Sequence, residues 1–192
     1  MNPKTERVFF ECTKCGACCR ENTLLVTVTG RDIARLSNGL GFYSNEVIRA
    51  LDFYLVSGEQ PPKGLQDIPS LKTENGLAYI ALKKLENGDC VFLKDDLCMI
   101  HPIRPGVCMS FPFVFRSDKT EITWGLSAKK EICPGLGVGP EVKLEDLSEL
   151  AATVLEDLSM FKGFAEEWNR TEQKPTATRL IEVIISDPRF ST

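Results

Sequence analysis

Apolar positions recur along this chain in two rhythms. Leu147, Leu150, Ala151, Val154, Leu155, Leu158, Phe161, Phe164 and Trp168 fall three and four residues apart. That spacing lines one face of a helix, and it predicts a long amphipathic helix over 144–168 whose stripe is core. Ser44 is placed to cap a second helix over 45–56, with Val47, Ile48, Leu51, Tyr54 and Leu55 on one face. Thr29 is placed to cap a short helix over 30–38, with Asp32 at its third position and Gly39 and Gly41 ending it. Elsewhere the period shortens. Leu24–Thr29 reads as a strand, and 78–82 as another that meets Asn87-Gly88, a hairpin signal, before a strand over 90–93.

A break at 94–96 separates that strand from Cys98-Met99-Ile100. Pro105 fits the first position of a short helix carrying Val107, Cys108 and Phe111. Residues 113–116 and 121–124 predict two strands around the Ser117-Asp118-Lys119 turn. Gly58, Pro61, Pro62, Gly64, Pro69 and Gly76 make 57–76 an irregular connection, and 169–178 is a polar one before a terminal helix or strand over 180–185. The pattern predicts an α+β fold of low regularity: an irregular, cysteine-rich domain over 1–140, with short strands packed on helices. A helical extension over 141–192, holding the long C-terminal helix, packs on the same domain.

Composition narrows the function. Lys plus Arg is 23 against Asp plus Glu 27, a net charge of −4, which argues against a protein built to grip nucleic acid or an anionic membrane. No run of about 18 apolar residues is present, so no helix is expected to span a bilayer. Met1–Arg7 leads straight into Val8-Phe9-Phe10 without an apolar leader, and a cytoplasmic location is expected. The outlier is cysteine, eight residues against a single histidine. In a reducing compartment, dense cysteine patterns hold metal more often than disulfides.

Cys12-x2-Cys15-x2-Cys18-Cys19 is the sharpest signal. Two residues between thiols let one tight turn aim successive sulfurs at a common centre. Gly16 supplies the backbone freedom for that wrap and brings amide N–H groups towards the sulfurs. Cys18 and Cys19 are adjacent, so their side chains diverge and suit neighbouring centres. Cys90, Cys98, Cys108 and Cys133 complete a set of eight, enough for two four-thiolate sites or for one cluster plus one zinc. Spacing leaves the partition open. Thiolates add negative charge, so Lys14, Arg20, Arg104, Arg116, Lys129 and Lys130, which flank the cysteine segments, are candidates to offset it. His101 stands at zinc-ligand spacing from Cys98, although eight thiols and the adjacent Pro102 favour a packing role. Phe9, Phe10, Phe92, Phe111, Phe113 and Phe115 are candidates to shield a cluster or simply to form core.

Taken in order, the CxxCxxCC run, Cys90-x-Phe92-Leu93, Cys98-x-Ile100-His101-x2-Arg104-Pro105-x2-Cys108-x2-Phe111-Pro112-Phe113 and Cys133-Pro134-Gly135 resemble the YkgJ family of cysteine-cluster proteins. The resemblance runs over roughly residues 9–140. It implies a zinc- or iron-chelating domain, with zinc or an iron–sulfur centre held by Cys12, Cys15, Cys18, Cys19, Cys90, Cys98, Cys108 and Cys133. It also implies kinship with flagellin lysine N-methylase. The family often has an aromatic residue where His101 stands, and a basic one where Met109 stands.

The triple CxxCxxC with a remote Cys-Pro leans towards a 4Fe–4S cluster, with zinc as the alternative. Gly135-x-Gly137-x-Gly139 echoes a nucleotide loop, but Pro134 precedes it and Pro140 follows, so it reads as a turn after a metal ligand. Three functions follow: metal or electron handling, cluster-dependent protein lysine methylation, and a zinc-stabilised module docking a protein partner.

Overall fold

This computed structural model describes residues 7–58, 61, 64–117 and 122–191. Within them the chain runs β1 (Phe9–Phe10), α1 (Ala17–Arg20), α2 (Gly30–Leu40), α3 (Ser44–Val47), β2 (Leu51–Leu55), β3 (Leu71–Thr73), β4 (Gly76–Leu82), β5 (Leu93–Lys94) and β6 (Leu97–Cys98). It continues through α4 (Gly106–Ser110), β7 (Phe113–Ser117), β8 (Ile122–Leu126), β9 (Leu136–Glu141), α5 (Leu144–Thr171) and α6 (Ala177–Ser186). The architecture is α+β. No helix among the described residues is long and apolar enough to cross a membrane.

α2 begins at a reciprocal cap. The Asp32 amide donates to the Thr29 hydroxyl, and the Thr29 amide donates to the Asp32 carboxylate. Gly41, left-handed at φ 65°, ends the helix, and Gly39 lies inside it rather than at its end. The helix expected over 45–56 is only half present. α3 has Tyr43, not Ser44, as its cap, and passes through a 3₁₀ turn over Ile48–Ala50 into β2. Leu51, Phe53 and Leu55 also alternate at strand spacing. Antiparallel pairing with β4, from Leu51 opposite Leu82 to Leu55 opposite Ala78, decides the outcome.

β4 is the centre of a three-stranded sheet in the order β2-β4-β3. β3 falls inside the expected irregular connection and ends early. Beyond it, the Val28 amide reaches the Ile80 carbonyl and the Leu82 amide reaches the Val26 carbonyl. The strand expected over 24–29 is therefore a single bridge, Thr27 opposite Ala81, along that edge. The hairpin signalled by Asn87-Gly88 is present as a single antiparallel bridge, Lys84 opposite Cys90, after which residues 91 and 92 turn into β5. A second, tight hairpin joins β5 to β6, where Asp95 and Asp96 both have positive φ. β7 and β8 pair as expected, but their turn at Asp118-Lys119 lies outside the described residues. The turn expected over Gly135–Gly139 is present: the Leu136 amide reaches the Cys133 carbonyl, the Val138 amide reaches the Gly135 carbonyl, and Gly137 and Gly139 have positive φ. Only the ends of β9, Leu136 and Glu141, pair with β1.

α5 extends to Thr171 and buries Leu147, Ala151, Phe161, Phe164 and Trp168. The main core gathers Ile33 and Leu36 of α2, Ile80 and Leu82 of β4, Leu180, Ile181 and Ile184 of α6, and Phe190 around the second half of α5. Trp168 Nε1 donates to the Lys72 carbonyl at 2.9 Å, and Asn169 takes the Lys72 amide at 2.8 Å, so α5 also satisfies the edge of β3. Cys90 and Ile100 lie in this core. A smaller cluster holds Ala128, Cys133 and Leu136 against Val8, Phe10 and Phe111. Cys19 and Cys98 pack against the main core, whereas Cys12 and Cys15 are exposed.

Candidate metal centre

The CxxCxxCC loop folds as it does because the segment over 84–98 holds its backbone. Gly16 turns in the left-handed region at φ 68°, immediately before α1. A Cβ there would stand 2.7 Å from the Asp96 carbonyl oxygen and 3.0 Å from Leu93 Cδ1. Arg20 donates to the Cys15 carbonyl at 3.0 Å and pairs with the Asp96 carboxylate. The Lys84 ammonium donates to the carbonyls of Cys19 and Glu21, where α1 ends, at 3.2 and 3.0 Å. The Cys90 amide donates to the Cys19 carbonyl at 2.8 Å.

This clamp brings thiols from distant segments together. Cys19 is within hydrogen-bonding reach of both Cys18 and Cys98. By donating its S–H it favours their thiolates, so Cys18 falls to about 7 and Cys98 to about 6, against the opposing effect of burial. Cys19 itself is pushed up by the same two partners. Cys90 and Cys108 are raised first by burial, and both also feel the charges of Cys18 and Cys98. Five sulfurs thus share one neighbourhood: Cys18, Cys19, Cys90, Cys98 and Cys108.

Backbone N–H groups are aimed at several of these sulfurs. Phe92 donates to Cys90, Ile100 to Cys98, and Gly135 and Leu136 to Cys133. Such donors stabilise thiolates in metal sites. The sequence placed them in the Gly16 wrap, whereas these come from residues two or three positions after each remote cysteine.

Cys133 is buried in the smaller core and raised by that burial, and it also feels the charges of Cys18 and Cys12. The Glu11 amide donates to the Gly135 carbonyl at 3.3 Å, which fixes Cys12 beside the Cys133 segment. Only glycine permits this approach, since a Cβ on residue 135 would sit 2.3 Å from the Glu11 carbonyl oxygen. Cys12 Sγ is 3.9 Å from His101 Nε2. Burial, then Arg104 and Lys14, lower the His101 pKa and keep its imidazole neutral. Cys12 and Cys15 are exposed, and all eight cysteines are free thiols.

Of the six cations expected to offset thiolate charge, Arg104 acts on Cys18 and Cys98. Arg20 instead holds backbone, and Lys129 and Lys130 line an open pocket of about 550 Å³ with Leu136 and Gly137. Two contributors escaped the sequence reading. Lys84, which acts on Cys90 as well as on α1, stands opposite Cys90 across the Asn87-Gly88 turn. Asp32, 2% exposed, accepts the Gly106 amide at 2.9 Å and so caps α4, the helix of Cys108. Of the aromatics, Phe92 packs on the main core, Phe10 and Phe111 surround Cys133, and Phe9 is exposed.

Among the described residues, no three Cys, His, Asp or Glu side chains form a closed coordinating set. The donor chemistry nevertheless fits a thiophilic ion. Soft thiols converge, two of them favour the thiolate, and amide donors face the sulfurs. Gly16→Ala tests the loop's part in this arrangement. The left-handed backbone costs about 1 kcal/mol and the clash with Asp96 adds to it, so a loss of about 2 kcal/mol is expected in urea unfolding, with lower metal retention. A loss under about 0.5 kcal/mol would show that the loop relaxes freely.

Free thiols on four separate stretches of an α+β fold define a cysteine-cluster protein. The chain belongs to the CxxCxxCC family, "Putative zinc- or iron-chelating domain", whose model matches residues 11–134. The YkgJ resemblance agrees with that membership, and the matched stretch holds all eight cysteines. No curated protein and no solved structure matches the chain.

Proposed function

We propose that this protein binds metal through its inner thiols and works in metal handling, with one tetrahedral ion, zinc in the first instance, as the cargo of that set. The observation that carries this reading is Cys19 lying within reach of both Cys18 and Cys98 while Cys90 and Cys108 face the same neighbourhood. Ligand sulfurs of a single tetrahedral ion stand about 3.8 Å apart when each bond is about 2.3 Å. The mutual influence of Cys18, Cys19 and Cys98 favours donors gathered on a single ion. The four thiolates of a 4Fe–4S cluster bind four different irons and stand further apart.

Each residue then has a part. Cys18 and Cys98 offer thiolates near neutral pH, and Arg104 offsets their charge. Cys90 supplies a buried donor and Cys108 a half-buried one, and their protons leave on binding. The exposed Cys12 and Cys15 give an ion a route from solvent. Bound zinc would supply no redox chemistry, only a rigid cross-link between the cysteine segments.

Elemental and acid-labile sulfide analysis of full-length protein purified without oxygen tests this. Stoichiometric zinc without sulfide is the expected result. Iron with matching sulfide and broad visible absorption would replace this reading with the 4Fe–4S one, and protein free of both metals would overturn chelation altogether.

A further inference from the structure

We infer that His101 is a nitrogen donor to a second metal ion, held with Cys12 at the outer edge of the thiol cluster. This inference rests on the metal-binding reading above and adds to it a mixed sulfur–nitrogen site that the eight-cysteine set does not contain. Its basis is position. His101, the chain's one histidine, places Nε2 3.9 Å from Cys12 Sγ across 89 residues of sequence. In a tetrahedron with a metal–sulfur bond of about 2.3 Å and a metal–nitrogen bond of about 2.1 Å, the two donor atoms lie about 3.6 Å apart. The observed separation needs only a slight closure to admit an ion.

The nitrogen nearest Cys12 is also the unprotonated one. Arg104 Nη1 contacts Nε2. A guanidinium can only donate, so Nε2 is the accepting nitrogen, and its lone pair is directed at Arg104 until an ion takes that place. Ion binding exchanges that Arg104 N–H for a metal bond, and Arg104 remains beside Cys18 and Cys98. Cys12 gives up its thiol proton to solvent as it binds, while the neutral imidazole gives up none.

Further donors stand close by. Cys133 feels the charge of Cys12 and sits on the segment that Gly135 ties to Glu11, and Cys15 lies three residues along the same loop. The inner five thiols and this outer group are therefore distinct sets joined through Cys18. A thiolate–imidazole pair suits zinc or ferrous ion, and it excludes an all-sulfur cluster at this position. The ring is partly exposed and belongs to a short 3₁₀ turn over His101–Ile103, so replacing it leaves both cores intact.

X-ray absorption at the zinc edge, recorded on the zinc-loaded full chain, decides the matter together with zinc counts on variants. The expected wild-type spectrum shows imidazole scattering within a mixed sulfur–nitrogen shell. His101→Ala is expected to lose that signature and about one zinc equivalent per chain, and His101→Cys to recover the equivalent through a sulfur donor. An all-sulfur shell in the wild type, or His101→Ala with full zinc content, would overturn the role of His101 and leave the inner centre standing. Wild-type protein that takes up no zinc would overturn both readings.

Discussion

Cys98→Ser is expected to strip the inner centre of its ion and to remove most of the stability that metal confers. Cys98 interacts with Cys18 and Cys19 and its charge is felt by Cys90 and Cys108, so it acts on every other inner thiol, as Cys18 does. A serine hydroxyl is a hard, weakly acidic donor and replaces a soft thiolate poorly. An ion present at about a hundred times its dissociation constant stabilises the fold by about 2.7 kcal/mol. For a chain of this size, losing that amount lowers the melting temperature by roughly 5–10 °C. Cys98 also packs against the main core, so the variant must be compared with wild type in both metal-loaded and chelator-treated forms. The expected pattern is a wide gap between loaded proteins and a narrow one between stripped proteins. Equal metal content, or an equal gap in both states, would place Cys98 outside the centre.

What the sequence conveyed and what it concealed follow one physical division. Features written in neighbouring residues were legible: the Thr29–Asp32 cap of α2, the stripe that became α5, the β7–β8 pair, and the order of the cysteine motifs. Features decided by a distant partner were not. Leu51–Leu55 satisfies helical and strand periods alike, and only β4 selects the strand. Leu136 and Glu141, on either side of the glycine turn, pair with Phe10 and Phe9, a partnership that no local signal announces.

The same division runs through the metal centre. Its sulfurs could be named from spacing, but their grouping depends on how the 84–98 segment folds back over α1. Asp32 was hidden for that reason, since it adjoins no cysteine in sequence and reaches α4 only through the fold. Lys84 faces Cys90 across the Asn87-Gly88 turn, and that local signal could have exposed it.

Asp32 is the sharper case, because one carboxylate serves two helices. Oδ2 accepts the Thr29 amide at 2.9 Å, while Oδ1 accepts the Gly106 amide at 2.9 Å and pairs with Arg35. Gly106 opens α4, and its amide is one of the donors a helix start leaves without an internal partner. Asp32→Ala would orphan that amide and leave the partly buried Arg35 without its counter-charge. Removing one member of such a buried set costs about 3–5 kcal/mol, and the lost cap of α2 belongs to the same loss. An effect of about 3 kcal/mol is expected in chemical denaturation. Because α4 carries Cys108, metal affinity should fall as well, whereas a defect confined to packing would spare it. Asp32→Asn keeps the acceptor oxygen for one helix but not the charge, so it should fall between alanine and wild type on both measures. Unaltered metal affinity in Asp32→Ala, despite lower stability, would mean that Cys108 holds its position without the tie to α2.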